Sequence, residues 1–210
     1  MADDGKIEMY RTEFNEKKDD LTKYGWCIWD IKNKLKVIKT YSDLDPRPFD
    51  HFIETEFICL QFRQIFESLI LANLVANKDE YNAAHKQIEY QWSPRRIIPQ
   101  VKGLNPEYYP KPVIFHANGN IENYLGADYL TESDLLAADD LCSQFLHAEN
   151  PFGQRRNINV VRNQFNEWYS KIKQLLESHV VTLAKVGRMI FVRAYFDTNI
   201  DPLAIYAGQA

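Results

Sequence analysis

Residues 49–76 read FDHFIETEFICLQFRQIFESLILANLVA, the most apolar long segment of the chain. Its apolar side chains recur at helical spacing, which predicts a helix buried against several neighbours. They are Phe52, Ile53, Phe57, Leu60, Ile65, Leu69 and Ala72. Three charged residues, Glu56, Arg63 and Glu67, fall on one stripe of this helix. Because an unpaired charge is costly inside a protein, the segment predicts a polar centre between packed helices.

The composition predicts a globular chain with a substantial core. The chain has 210 residues, of which 45% are hydrophobic, and its formal net charge of −4 gives no overall nucleic-acid footprint. No apolar run approaches the ~20 residues that cross a bilayer, so we expect no membrane partner. Cys27, Cys59 and Cys142 are scattered and odd in number, which favours reduced thiols and a cytoplasmic location.

Further periodic segments predict a helical bundle. They cover residues 7–38, 78–91, 94–103, 131–147 and 158–178. A hairpin is predicted near residues 112–125, where Asn118-Gly119 is a strong turn signal. β-branched and aromatic residues after His179 predict further strands. We therefore expect a mainly α-helical domain over residues 1–179, with a small antiparallel β appendage over residues 180–210 at the C-terminus.

His147 is the histidine that the sequence singles out. It ends a helix that opens with Thr131 and Asp134 in the pattern of a capping box, and an Asn150-Pro-Phe-Gly breaker follows it. A protonated histidine is favoured at a helix C-terminus, which makes a structural role one interpretation. The other interpretation is a general base or acid, a role that imidazole fills near neutral pH.

Nearby arginines are candidates for the same centre. Arg155 and Arg156 follow in the loop after His147 and could hold a phosphate. Arg63 and Glu67 lie one turn apart and predict a partly buried ion pair. Such a pair either locks the helix packing or orients His147 from a facing helix. The five histidines lie far apart and no cysteine pair has ligand spacing, so the sequence predicts no metal site and no cofactor.

Two segments together resemble the HEPN-like proteins of bacteria, a family of helical bundles that includes toxins and antiviral defence ribonucleases. They are Phe62-Arg63-Gln-Ile-Phe-Glu67 and Cys142-Ser-Gln-Phe-Leu-His147-Ala-Glu-Asn150-Pro, and the resemblance covers residues 50–178. It implies an RNA-binding homodimer that acts as a metal-independent endoribonuclease of a toxin–antitoxin or defence system. The catalytic residues would be His147, Arg63, Glu67 and Asn150, with Arg155 and Arg156 binding the substrate.

The chain departs from the family pattern at one point. Active HEPN ribonucleases resemble one another in an arginine shortly before the histidine, and residues 141–146 contain none. Arg63 from a neighbouring helix or Arg155 from the loop could substitute for it. The alternative prediction is a noncatalytic HEPN-like interaction module in a multiprotein defence or regulatory complex. In that case a protein partner or an antitoxin binds, for instance by adding a strand to a hairpin at residues 180–196. An enzyme acting on a small molecule is a third class, for which the sequence names no substrate.

Overall fold

A computed structural model describes residues 18–42, 51–78, 81, 93–116, 118, 120–148, 151–152, 156–184, 188–198 and 204–209. The fold is mainly α-helical with a small antiparallel sheet, as the sequence predicts. The helices are α1 (Lys18–Ser42), α2 (His51–Ala76), α3 (Pro94–Leu104), α4 (Glu132–Leu146), α5 (Ile158–Arg162) and α6 (Phe165–Leu176). The strands are β1 (Lys111–Phe115), β2 (Ile121–Asn123), β3 (Ser178–Thr182), β4 (Arg188–Arg193) and β5 (Ala204–Gln209). Residues 7–17 and most of the predicted helix over 78–91 lie outside the described residues.

Helices α1 and α2 form an antiparallel pair. The apolar stripe predicted for α1 is buried over Leu21, Ile28, Ile31, Leu35 and Ile38. The Ser68 hydroxyl donates to Asp30 Oδ2 at 3.0 Å, and the ring centroids of Tyr41 and Phe57 lie 5.2 Å apart. Residue numbers rise along α1 while those of the contacted residues fall along α2, which fixes the antiparallel direction.

Helix α4 begins with the capping box that the sequence predicts. The Thr131 hydroxyl accepts a hydrogen bond from the Asp134 backbone N–H at 3.1 Å, and the Asp134 carboxylate accepts one from the Thr131 N–H at 3.1 Å. Burial acts to raise the pKa of Asp134, but the hydrogen bonds from Thr131 and the charge of Lys171 lower it overall. Two of the orphan N–H groups at this helix start are thereby satisfied.

The prediction of a single helix over residues 158–178 is wrong in one respect, because the structure divides this segment into α5 and α6. At the break, the N–H of Gln164 bonds to Val161 O at 3.0 Å, a tighter step than the α-helical one. Asn163 and Gln164 both have ψ near −17°. This break lets Arg162 reach the start of α2, while α6 buries Trp168 against Phe62 and Phe66.

The strands form one antiparallel sheet in the order β2-β1-β3-β4-β5. The predicted hairpin near residues 112–125 exists as β1 and β2, and it joins the C-terminal strands because β1 pairs with β3. The hairpin of β3 and β4 is therefore not a free edge, which corrects the expectation that residues 180–196 could receive a partner strand. Among the described residues, the outer positions of the sheet belong to β2 and β5.

Polar side chains tie the sheet to the helices. Asn77, just after α2, accepts a hydrogen bond from the Ala184 N–H at 2.5 Å, and Asn105 donates to Thr182 O at 2.9 Å. The buried Lys32 ammonium of α1 donates to Tyr195 O at 2.6 Å. These bonds satisfy polar groups that would be costly to bury alone.

Helix α2 is the central helix of the fold. By length and composition it is the one described helix that could cross a membrane, but 56% of its apolar window is buried inside the protein. It packs against α1, α4, α5 and α6, and its Ile58, Phe62, Ile65 and Leu69 are fully enclosed. This is the behaviour of a core helix, as its sequence predicts.

Candidate functional site

The predicted polar centre lies between α2 and α4. Arg63 Nη2 is 3.3 Å from Glu67 Oε1 on its own helix, and Arg63 Nε is 3.4 Å from Asp139 Oδ1 on α4. Arg63 and Glu67 therefore face the helix that ends at His147, and the predicted polar centre between packed helices is confirmed. Asp139, which the sequence analysis did not single out, completes the cluster.

The two carboxyl groups of this centre resist ionisation. Burial raises the pKa of Glu67, while Arg63 lowers it and Asp139 raises it further. Burial also raises the pKa of Asp139, partly offset by the Arg63 guanidinium. One arginine thus balances two acids whose side chains are 27% and 8% exposed. The cluster is paired by charge, but the buried Arg63 Nε and Asp139 Oδ1 make no hydrogen bond, and its exposed portion is limited to Arg63 and Glu67.

Two thiols lie beside the same centre. Cys59 is one helical turn before Arg63 on α2, Cys142 is nearly one turn after Asp139 on α4, and both are fully buried. A hydrogen bond with Cys59, together with burial, raises the pKa of Cys142 far above its ordinary value. Because the thiolate is the reactive form of cysteine, this thiol is unreactive at neutral pH.

Arg156 closes the C-terminal end of α4. Its Nη1 donates to Gln144 O at 3.1 Å, to Phe145 O at 2.7 Å and to His147 O at 3.0 Å. Its Nη2 lies 3.5 Å from Glu56 Oε1 on α2. The guanidinium therefore satisfies carbonyls that a helix end leaves without partners. A phosphate at Arg156 would have to compete with these contacts.

His147 itself is the exposed C-cap residue of α4. It follows Asp139 by about two helical turns, which corresponds to ~12 Å along a helix axis. Arg63 is bound at the level of Asp139, so the structure does not bring Arg63 and Glu67 to the imidazole. Among the described residues, Arg156 contacts the His147 backbone, through the His147 carbonyl at 3.0 Å. Asn150 and Arg155 lie outside the described residues, so their proposed roles stay predictions.

A second ionic cluster, which sequence reasoning missed, lies at the start of α2. Glu54 is 1% exposed and receives Arg162 Nη1 at 2.9 Å and Nη2 at 3.5 Å. His51 Nδ1 lies 3.3 Å from Glu54 Oε2, and this imidazole is 70% exposed. The sequence offered one signal for this cluster: Glu54 is an acidic residue in the first turn of α2, where the helix dipole favours negative charge. Its arginine partner is distant in sequence, at the end of α5.

The outer face of α1 combines aromatic and cationic side chains. Trp26 is 66% exposed, Trp29 is 50% exposed and Val37 is 42% exposed. Lys23 and Lys36 are also exposed. At 100° per residue, the two lysines lie on opposite flanks of the stripe formed by the apolar residues. Isolated exposed apolar residues are ordinary, but two tryptophans one turn apart on one helix are not.

A shallow groove of about 210 Å³ lies between α4 and the α5–α6 pair. Ala138, Leu141 and Trp168 supply apolar lining, and Lys171 pairs with Asp134 at 3.5 Å and with Glu167 at 2.8 Å at its rim. The charged groups at the rim are therefore paired with one another in ion pairs. Across the described part of the chain, no group of three or more His, Cys, Asp or Glu side chains could hold a metal ion.

Comparisons with known proteins found no match for this chain. No family model, no curated protein and no solved structure matches it. The resemblance to HEPN-like proteins therefore rests on the two short sequence segments alone.

Proposed function

We propose that this chain is a noncatalytic interaction module, a helical bundle that binds a partner through the outer face of α1. The observation that carries the proposal is the exposure of Trp26 and Trp29 on one helix face. Both residues are large and amphipathic, the type enriched at binding surfaces. A HEPN-like bundle in a multiprotein defence or regulatory complex would use such a face for docking.

The polar clusters support binding rather than catalysis. The Arg156 guanidinium bonds to three carbonyls and approaches Glu56, and Arg63 is held by two acids about two helical turns from His147. Phosphoryl transfer needs a cation aimed at the charge that develops on the phosphate. Neither arginine meets this need without giving up existing protein contacts.

A photocrosslinking experiment tests the proposal. A photoreactive amino acid at position 26 in cells should give a discrete adduct, which a second change, Trp29→Lys, should abolish. The matched control is the same amino acid at position 125, because Leu125 is 95% exposed but lies far from α1 in sequence. Equal labelling from both positions would argue against a docking face on α1.

The second candidate function is the metal-independent endoribonuclease of a toxin or defence system. It is favoured by the exposed His147 beside Arg156, and by His51 with the buried Glu54 behind its imidazole, an arrangement that suits an acid–base histidine. As a homodimer, the chain would bring two such histidines to one cleft. Single-stranded RNA incubated with the purified protein separates the candidates: intact RNA fits the module, whereas cleavage abolished by His147→Ala establishes the nuclease.

A further inference from the structure

The exposed face of α1 is flanked by lysines. Lys23, Lys36 and Lys39 are exposed. Among the side chains described on this helix the one acid is Asp30, and it pairs with Lys34 and accepts from Ser68 of α2. The face therefore presents lysines and tryptophans to solvent, together with Asp30, whose side chain is 39% exposed and whose charge is paired with Lys34.

We infer that this face docks on an anionic phospholipid surface, with Trp26 and Trp29 entering the headgroup region and the lysines contacting lipid phosphates. The inference rests on the proposed binding role of α1 and names its ligand. Tryptophan has an apolar ring body and an N–H donor, a combination favoured at the membrane–water interface. A helix lying in the interface plane with tryptophan on one face and lysine at its flanks uses both effects. This is surface contact by α1, which differs from a membrane crossing by α2, a helix whose apolar window is 56% buried inside the protein.

Apolar exposure continues from α1 onto α2. Contacts of Asp30 with Ser68 and of Tyr41 with Phe57 place Val37 level with about residue 61 of α2. Leu60, which is 42% exposed, lies at that level, and Ile53, which is 52% exposed, lies two turns away on the same side of α2. An apolar surface that extends over two packed helices suits a broad planar ligand better than a single nucleic-acid strand.

The lysines set the expected lipid dependence. Each lysine near an anionic leaflet strengthens binding to the membrane by roughly five-fold at physiological ionic strength. The double variant Lys23→Gln/Lys36→Gln should therefore weaken binding by about 25-fold. The charge-matched control is Lys102→Gln/Lys111→Gln, which removes two exposed lysines from α3 and β1 and should leave binding unchanged.

Vesicle partitioning of the full chain tests the inference. The protein should sediment with vesicles made of equal parts phosphatidylglycerol and phosphatidylcholine. It should not sediment with vesicles of phosphatidylcholine alone. Lipids brominated on the acyl chain should quench tryptophan emission, and Trp26→Ala should reduce both quenching and binding. The control Leu125→Ala should reduce neither. Because Trp26 is 66% exposed, its replacement should not unfold the chain, which circular dichroism checks.

The outcomes separate the inference from the proposed function. The absence of binding to anionic vesicles, or binding indifferent to the α1 variants, overturns the lipid inference. In that case Trp26→Ala can still act through another partner: it would change the sedimentation of the free protein if that partner is a second copy, or the binding of a single-stranded RNA oligomer, without cleavage, if it is RNA. Either result would keep the proposed interaction module and replace only its ligand. His147-dependent RNA cleavage would overturn the proposed function itself.

Discussion

Acidification should destabilise the fold through one buried histidine, His179 at the start of β3. Its side chain is fully enclosed, with Nδ1 3.1 Å from Leu176 O and Nε2 2.6 Å from the Tyr24 hydroxyl. Because a carbonyl can only accept, Nδ1 carries the proton and Nε2 accepts from Tyr24. The neutral ring is therefore satisfied on both sides. A proton added to Nε2 would oppose the Tyr24 donor and place a charge in the core.

The size of the effect follows from the pKa of His179. Burial lowers this pKa from 6.5 to about 4, although the hydrogen bond to Leu176 acts in the other direction. At ~1.36 kcal/mol for each pKa unit, the difference corresponds to about 3 kcal/mol. The folded state binds fewer protons than the unfolded state between these values, so this stability is present above pH 6.5 and is lost as the pH falls towards 4. Below that value both states are protonated and the loss ends.

Urea unfolding of the wild type and of His179→Gln across this pH range measures the effect. Carboxylates also titrate in acid, so the informative quantity is the difference in pH dependence between the two proteins. The wild type should lose about 3 kcal/mol more than the variant. His147→Gln, which removes an exposed histidine, should keep the wild-type dependence. If His179→Gln and the wild type lose stability in parallel, the buried neutral histidine is not the acid-sensitive group.

Four substitutions test the polar contacts by urea unfolding at neutral pH. Arg156→Ala should cost ~2 kcal/mol, since it strips the end of α4 of its charge-assisted hydrogen bonds; an unchanged midpoint would mean that water caps the helix equally well. Asn77→Ala should cost ~1–3 kcal/mol, because it leaves the Ala184 N–H without its acceptor, and a neutral result would dismiss this link between helix and sheet. Asp139→Ala should cost on the order of 2 kcal/mol and Glu67→Ala less than half of that, because the Glu67 side chain is 27% exposed and that of Asp139 is 8% exposed. The reverse order would contradict the account of the centre.

Local sequence patterns predict the helical part of the fold well. The apolar period identifies α2 and the buried stripe of α1, and the Thr131–Asp134 pair predicts the start of α4 within a residue. Asn118-Gly119 likewise predicts the hairpin of β1 and β2. Each of these signals depends on neighbours a few residues apart, where sequence spacing and spatial contact coincide.

Contacts between distant segments were not predictable in the same way. Nothing local shows that β1 pairs with β3, or that Arg162 reaches Glu54 across the fold. The break between α5 and α6 is also set by tertiary contacts, because residues 158–178 contain no glycine or proline to announce it. The charged stripe of α2 predicted that a polar centre exists, while the identity of its partner Asp139 required the packed helices.

The occupancy of hydrogen-bonding groups decides how the candidate site is interpreted. A charge among apolar residues is equally consistent with catalysis and with packing when only the sequence is considered. In the fold, Arg63 lies between Glu67 and Asp139, and Arg156 lies among three carbonyls. Guanidinium groups that contact protein carboxylates and carbonyls hold helices together. A substrate would have to displace those contacts, which costs free energy. Trp26 and Trp29 of α1 instead expose 66% and 50% of their surface to solvent, so we propose that face for partner binding.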